Sequence, residues 1–235
     1  NFNEHVASDI GIGQAYLPAD SYPTQDKLNY ISNWSRENIA KLNETKCNYM
    51  VFSRAQEDFA TRLTVNNCKL DQISVTKLLG VWISEDLSWD RNTKEICRRA
   101  YSRLSMLTKL KYVGVSTEDL LEIYILFVRS ITEYCAVAFH STLTVEQATD
   151  IERVQKTCLR IILGDNFVSY EAALEMTGLE TLHDRREGRC LSFALKCLKH
   201  PINSRMFPPN TNPGPGGMDV RNREVFEVNF ARTEK

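Results

Sequence analysis

Between residues 89 and 111 the apolar positions Ile96, Ala100, Leu104 and Leu107 step by +4, +4 and +3. That spacing returns to one face of a 3.6-residue turn and predicts an amphipathic helix. Gly114 ends it, and Ser116-Thr117-Glu118 opens the next helical stretch, a helix or helix pair over 117–140. A second stripe, Ile151, Val154, Cys158 and Ile161, predicts a helix over 145–163, with Thr144 as its cap and Gly164 as its stop. A short helix follows at 169–177 and ends at Gly178. The last long one runs over about 181–199 and stops before Pro201.

Upstream the pattern is different. Residues 24–40 place Leu28, Ile31 and Ser35 on one helical face, with Thr24 as the expected cap. Then come CNYMVFS at 47–53 and TRLTVNN at 61–67, both rich in β-formers, the second ending in an Asn-Asn turn. TKLLGVWIS at 76–84 reads as a strand in which Gly80 marks a bulge or a close backbone approach. The expected fold class is therefore α+β: one helix with three or four antiparallel strands, followed by an all-helical bundle. The expected division is an irregular segment 1–23, a helix-and-strand unit 24–88, a helical region 89–200, and a linker and tail 201–235. The first segment holds Gly11, Gly13, Pro18 and Pro23 without a period, and MFPPNTNPGPGGM has the composition of a flexible linker.

Composition narrows the classes. The chain has 235 residues, 43% hydrophobic and 25% charged, which is ordinary for a globular protein with a sizeable core. A net charge of −1 provides no global attraction to nucleic acid, so any such binding must come from local patches. Seven scattered cysteines are an odd count without paired spacing, as expected of reduced thiols inside a cell, cytoplasmic or nuclear, rather than of a disulfide framework. The first residues lack the basic and apolar regions of a signal peptide, so the sequons at Asn33 and Asn43 are expected to be chance matches. The most apolar stretch, 120–139, carries Glu122, Arg129 and Glu133, which argues for a buried helix and against a membrane span.

The charge rows are the main candidate chemistry. The 89–111 helix carries Arg91, Lys94, Arg98, Arg99, Arg103, Lys109 and Lys111 against Asp90 and Glu95, a net +5. Arg91, Lys94 and Arg98 share one face opposite the apolar stripe. Arg153, Lys156 and Arg160 repeat that stepping on the 145–163 helix, and Arg185, Arg186 and Arg189 form a third cluster. Rows of this kind facing one groove would follow a duplex backbone without reading its sequence. A solvated face is the usual explanation of any single row, and only three rows together point toward nucleic acid. His183, Cys190, Cys197 and His200 lack the short knuckle spacing of structural zinc, so no metal is expected. Neither a Gly-x-Ser-x-Gly elbow nor a phosphate-cradling glycine loop occurs.

Four phrases stand in a fixed order: WSRENIAKLNETKC at 34–47, LLGVWISEDLSW at 78–89, FVRSITEY at 127–134 and IERVQKTCLRIILG at 151–164. Together they resemble the C-terminal part of reverse transcriptases of non-long-terminal-repeat retrotransposons, of the jockey and CR1 kind. The resemblance covers residues 24–200. It implies a remnant of the palm at 24–88 and a thumb-like region at 89–200, which would hold a template–primer duplex of RNA and DNA. It places Lys46 near the incoming triphosphate, and Leu79, Gly80 and Val81 on the primer-grip strand. The intact family enzyme uses two magnesium ions held by an aspartate pair. The sequence has no Asp-Asp, and Ser8-Asp9 is the nearest counterpart. The chain by itself is therefore expected to bind nucleic acid weakly and not to catalyse, with no cofactor of its own, no membrane partner, and the fingers and remaining palm of the parent polymerase missing. Family members also continue past ARTE into further helix. The rival expectations are a helical protein-interaction module and a transposon relic. Trp34, Leu79, Val81, Trp82 and Trp89 are expected to be buried where the strands meet the first basic helix.

Overall fold

A computed structural model describes residues 23–40, 42–52, 63–201 and 203. The expectations for 1–22, for the 53–62 part of the strand region, and for nearly all of the linker and tail lie outside these residues. The fold is α+β, with small sheets before a helical bundle.

Helix α1 spans Pro23–Glu37. It starts one residue ahead of Thr24, so Thr24 lies inside the first turn instead of capping it. Proline suits that first position because its φ is already helical and its missing N–H would be unpaired anyway. The Leu28, Ile31 and Ser35 face turns inward as expected, with Ser35 buried. Trp34 sits off that stripe and is 46% exposed, so its expected burial is not found.

The strands are short. β1 (Asn48–Tyr49) pairs in parallel with β4 (Asp71–Gln72). Parallel pairing needs a long crossover, and the residues between 49 and 71 supply it. β2 (Thr64–Val65) and β3 (Cys68–Lys69) form an antiparallel hairpin around Asn66 and Asn67, both at positive φ (49° and 64°). Asparagine tolerates that region, so the Asn-Asn turn stands where the sequence places it. Leu63, Val65 and Leu70 make a small core of their own beneath Leu28, Leu42, Cys47 and Tyr49.

β5 (Val75–Leu78) and β6 (Val81–Ser84) correct the expectation of a single strand through Gly80. Leu79 and Gly80 are the two turn residues of a hairpin, at φ 46° and 89°. Two consecutive positive φ values give the tight turn whose twist matches the flanking strands. Leu79 is therefore thrown outward, 67% exposed, while Val81 is buried. Trp82 is half-buried, and its backbone N–H donates to Asn92 Oδ1 at 3.2 Å, joining the hairpin to the next helix.

The bundle follows: α2 (Asp90–Tyr112), α3 (Thr117–Ile123), α4 (Ser130–Glu133), α5 (Val145–Leu163), α6 (Tyr170–Thr177) and α7 (Leu182–Lys199). Its core joins Ala100 and Leu107, Leu120, Tyr124 and Val128, and Val154, Cys158 and Ile162. Between α3 and α4 the chain widens into a π-helical stretch, Tyr124–Arg129. Leu120, Tyr124, Val128 and Thr132 are all buried and spaced by four. An α-helix would let that row drift around its surface, and the wider turn keeps it facing the core. Cys135, at φ 55°, then ends the helix, and Ala136–Ala138 and His140–Thr142 are single 3-10 turns. Trp89 seats the start of α2: its Nε1 donates to Thr142 Oγ1 at 2.6 Å, and its ring lies 5.9 Å from that of Phe139. Among the described residues no helix is long and apolar enough to cross a membrane.

Candidate nucleic-acid interface

α2 packs along α5 through its apolar stripe, which turns its basic face outward beside that of α5. The two helices leave a groove of about 430 Å³ lined by Thr93, Lys94, Cys97, Arg98 and Tyr101 from α2 and by Asp150 and Arg153 from α5. Lys94, Arg98 and Arg153, taken from two separate rows in the sequence, thus share one groove. Arg98 forks onto Glu95, with Nε and Nη2 each donating at 2.8 Å, and this holds the Glu95 carboxyl below its usual range. Arg153 pairs with Asp150 through one contact, Nη1 donating to Oδ1. Among the described residues Lys94 makes no ion pair. Burial pushes the Cys97 thiol up to about 11, so the groove floor is neutral at physiological pH. Thr93 is buried, and its hydroxyl has no hydrogen-bond partner among the described residues.

The other members of the rows do not line this groove. Arg91 lies over the Trp82 ring at 4.8 Å, with Lys77 at 5.9 Å from the same ring, so the indole is flanked by two cations. Lys156 lies 5.9 Å from the Tyr170 ring, and Arg160 5.2 Å from that of Phe167. These four cations rest on aromatic faces and keep their charges near the surface.

The third basic cluster is a correction. Arg185, Arg186 and Arg189 are not a free row on α7. Glu133, buried at the end of α4, accepts from Arg185 Nε at 2.5 Å and pairs with Arg189 Nη2 at 2.7 Å and Arg129 Nε at 3.7 Å. A carboxylate at that depth needs such partners, and it draws the arginines inward. Arg186 is fully buried, with Nε 3.4 Å from His140 Nδ1, and burial pulls its guanidinium down from the ordinary value. On the same helix Cys197 is buried, Cys190 half-buried and Phe193 48% exposed, so this side of α7 is only partly internal.

Lys46 is exposed on the 3-10 turn Glu44–Lys46, ahead of β1. Leu79, Gly80 and Val81 form the hairpin tip. Tyr134 holds it, donating from its hydroxyl to Leu79 O at 2.8 Å, with its ring against Gly80. Among the described residues, the groove lining includes neither Lys46 nor this tip. Possible metal ligands come together at His183, Asp184 and Glu187, whose ligand atoms lie within 4.8 Å of one another. All three are exposed, and His183 Nδ1 lies 3.4 Å from Asp184 Oδ1.

Sequence reasoning missed Tyr101, which lies three residues past Arg98 on the same face and is 40% exposed in the groove. The signal was present, an aromatic interleaved with a basic row. It also missed Asp150, whose contact with Arg153 lowers the groove's positive charge. No protein-family model, curated protein or solved structure matches the chain.

Proposed function

We propose that this chain is the duplex-holding part of an RNA-directed DNA polymerase of the non-long-terminal-repeat retrotransposon kind. The observation that carries the proposal is the convergence of Lys94 and Arg98 on α2 with Arg153 on α5 along one groove. Cations from two packed helices can engage successive phosphates of one backbone, which a single solvated row does not need to do. The ordered phrases at 34–47, 78–89, 127–134 and 151–164 supply the polymerase context. Within this reading magnesium belongs to the intact enzyme, and the chain contributes binding. The test is anisotropy of a labelled RNA–DNA duplex titrated with the purified chain at several salt concentrations. Binding that weakens steeply with salt and ignores sequence supports the proposal.

A second reading, a helical protein-interaction module, is favoured by α7. Leu191 and Leu195, one turn apart, are 63% and 50% exposed, with Phe193 between them in sequence. Beside Phe193 runs a shallow groove of about 250 Å³ lined also by Val137, Ser192 and Lys196. Exposed apolar side chains at helical spacing are a usual mark of a protein contact. Absence of duplex binding even at low salt would leave this as the better account.

A further inference from the structure

We propose that the groove between α2 and α5 seats one unpaired nucleotide of a strand that runs on beyond a duplex. The proposal rests on the nucleic-acid reading above and gives it a specific ligand. A duplex backbone offers phosphates and sugars to a protein, and its base faces are stacked out of reach. An aromatic ring exposed among cations is what an unpaired base uses, because every base has a π face to lay on it. Tyr101 is such a ring: it is 40% exposed and shares its groove with Lys94, Arg98 and Arg153. At about 430 Å³ the groove falls in the size range of small-ligand sites and has room for one nucleotide.

The lining divides the ligand's chemistry. Lys94 has no ion pair among the described residues and can meet a phosphate directly. Arg98 and Arg153, themselves largely exposed, pair with the half-buried Glu95 and with Asp150, and ion pairs open to solvent on one side exchange partners at little cost. Asp150 repels a phosphate from the α5 side and turns it toward Lys94 and Arg98. The half-buried Cys97 thiol offers a neutral floor for a base.

The test compares three labelled probes on the full chain: a blunt duplex, the same duplex with a short unpaired extension, and that duplex with the extension made abasic. The extended duplex is expected to bind about tenfold tighter than the blunt one, within what aromatic stacking supplies. The abasic extension keeps its phosphates for Lys94 and Arg98 but offers no base to the Tyr101 ring, and is expected to bind several-fold more weakly than the natural extension. Tyr101→Ala should reduce the preference for the natural extension over the abasic one, while Tyr101→Phe keeps it. Equal binding of blunt and extended duplexes overturns the inference and leaves the proposed function standing, as does an abasic extension that binds as well as the natural one. Failure to bind any duplex overturns both. If Tyr101→Ala does not fold, the abasic probe and Tyr101→Phe still decide the matter.

Discussion

Gly80 meets two constraints at once. Its φ of 89° is a conformation that L side chains rarely adopt, and a Cβ there would stand 3.3 Å from the Tyr134 ring. Gly80→Ala is therefore expected to destabilise the fold by about 1–3 kcal/mol, combining backbone strain with a displaced ring. Its neighbour works in the opposite direction. Leu79, at φ 46°, occupies a turn position that asparagine fills with less strain. Leu79→Asn should stabilise by about 0.5–1 kcal/mol, and urea midpoints for the two variants should move to opposite sides of the parent's. The cysteines separate in a similar way. Burial raises the Cys97 thiol to about 11 and Cys158 to about 12, so both stay protonated well above neutral pH. Cys68 and Cys135 are exposed. Alkylation near pH 8 should label Cys68 and Cys135 first, and peptide mass spectrometry would reveal early modification at Cys158 if the bundle core were open.

α5 shows why some elements are plain in a sequence and others are not. Thr144 and Gln147 form a reciprocal capping box, with Thr144 N–H donating to Gln147 Oε1 at 2.9 Å and Gln147 N–H to Thr144 Oγ1 at 3.2 Å. Gly164 closes the helix at φ 58°. Both ends are local chemistry, and both were legible. Thr144→Ala should cost about 1 kcal/mol, read as a lower thermal midpoint with the helical signal otherwise kept. The π-helical stretch Tyr124–Arg129 was not legible, because it answers to the packing of Leu120, Tyr124, Val128 and Thr132 against other helices. The hairpin at Leu79–Gly80 was misread as a bulged strand, since leucine is a poor residue for a tight turn and masks the signal. Arg185 and Arg189 look like surface charges until Glu133, about fifty residues earlier in sequence, is placed beneath them by the fold. Glu133→Gln removes the charge that three arginines share. It should destabilise the α4–α7 junction by about 3–5 kcal/mol, the range for breaking a buried pair, and calorimetry on that variant would show a small effect if Glu133 were dispensable.

The basic groove and the absence of a global positive charge together set how the whole molecule should behave. With a net charge of −1, long-range attraction to a phosphate backbone is weak, so affinity depends on the few cations that converge. Lys94, Arg98 and Arg153 line one groove, while Arg91, Lys156 and Arg160 lie on neighbouring aromatic faces. Each phosphate neutralised on DNA should contribute about −0.9 to the slope of log affinity against log salt. Charge reversal at Arg98 and Arg153 together should therefore weaken binding across all sequences and flatten the slope by about two phosphate equivalents. Both side chains are largely exposed and sit outside the helix core, so circular dichroism of the double variant should match the parent. Arg91→Glu serves as the contrast, because its partner is the Trp82 ring; it should leave the slope nearer the parent's. An unchanged slope in the Arg98, Arg153 double variant would mean that phosphates are not held in this groove. A template–primer assay completes the argument. The sequence contains no aspartate pair to bridge two metal ions, so the chain alone should incorporate no labelled nucleotide even where it binds the duplex. Incorporation above a protein-free control would require a metal site built from other carboxylates and would overturn the assignment of a binding role.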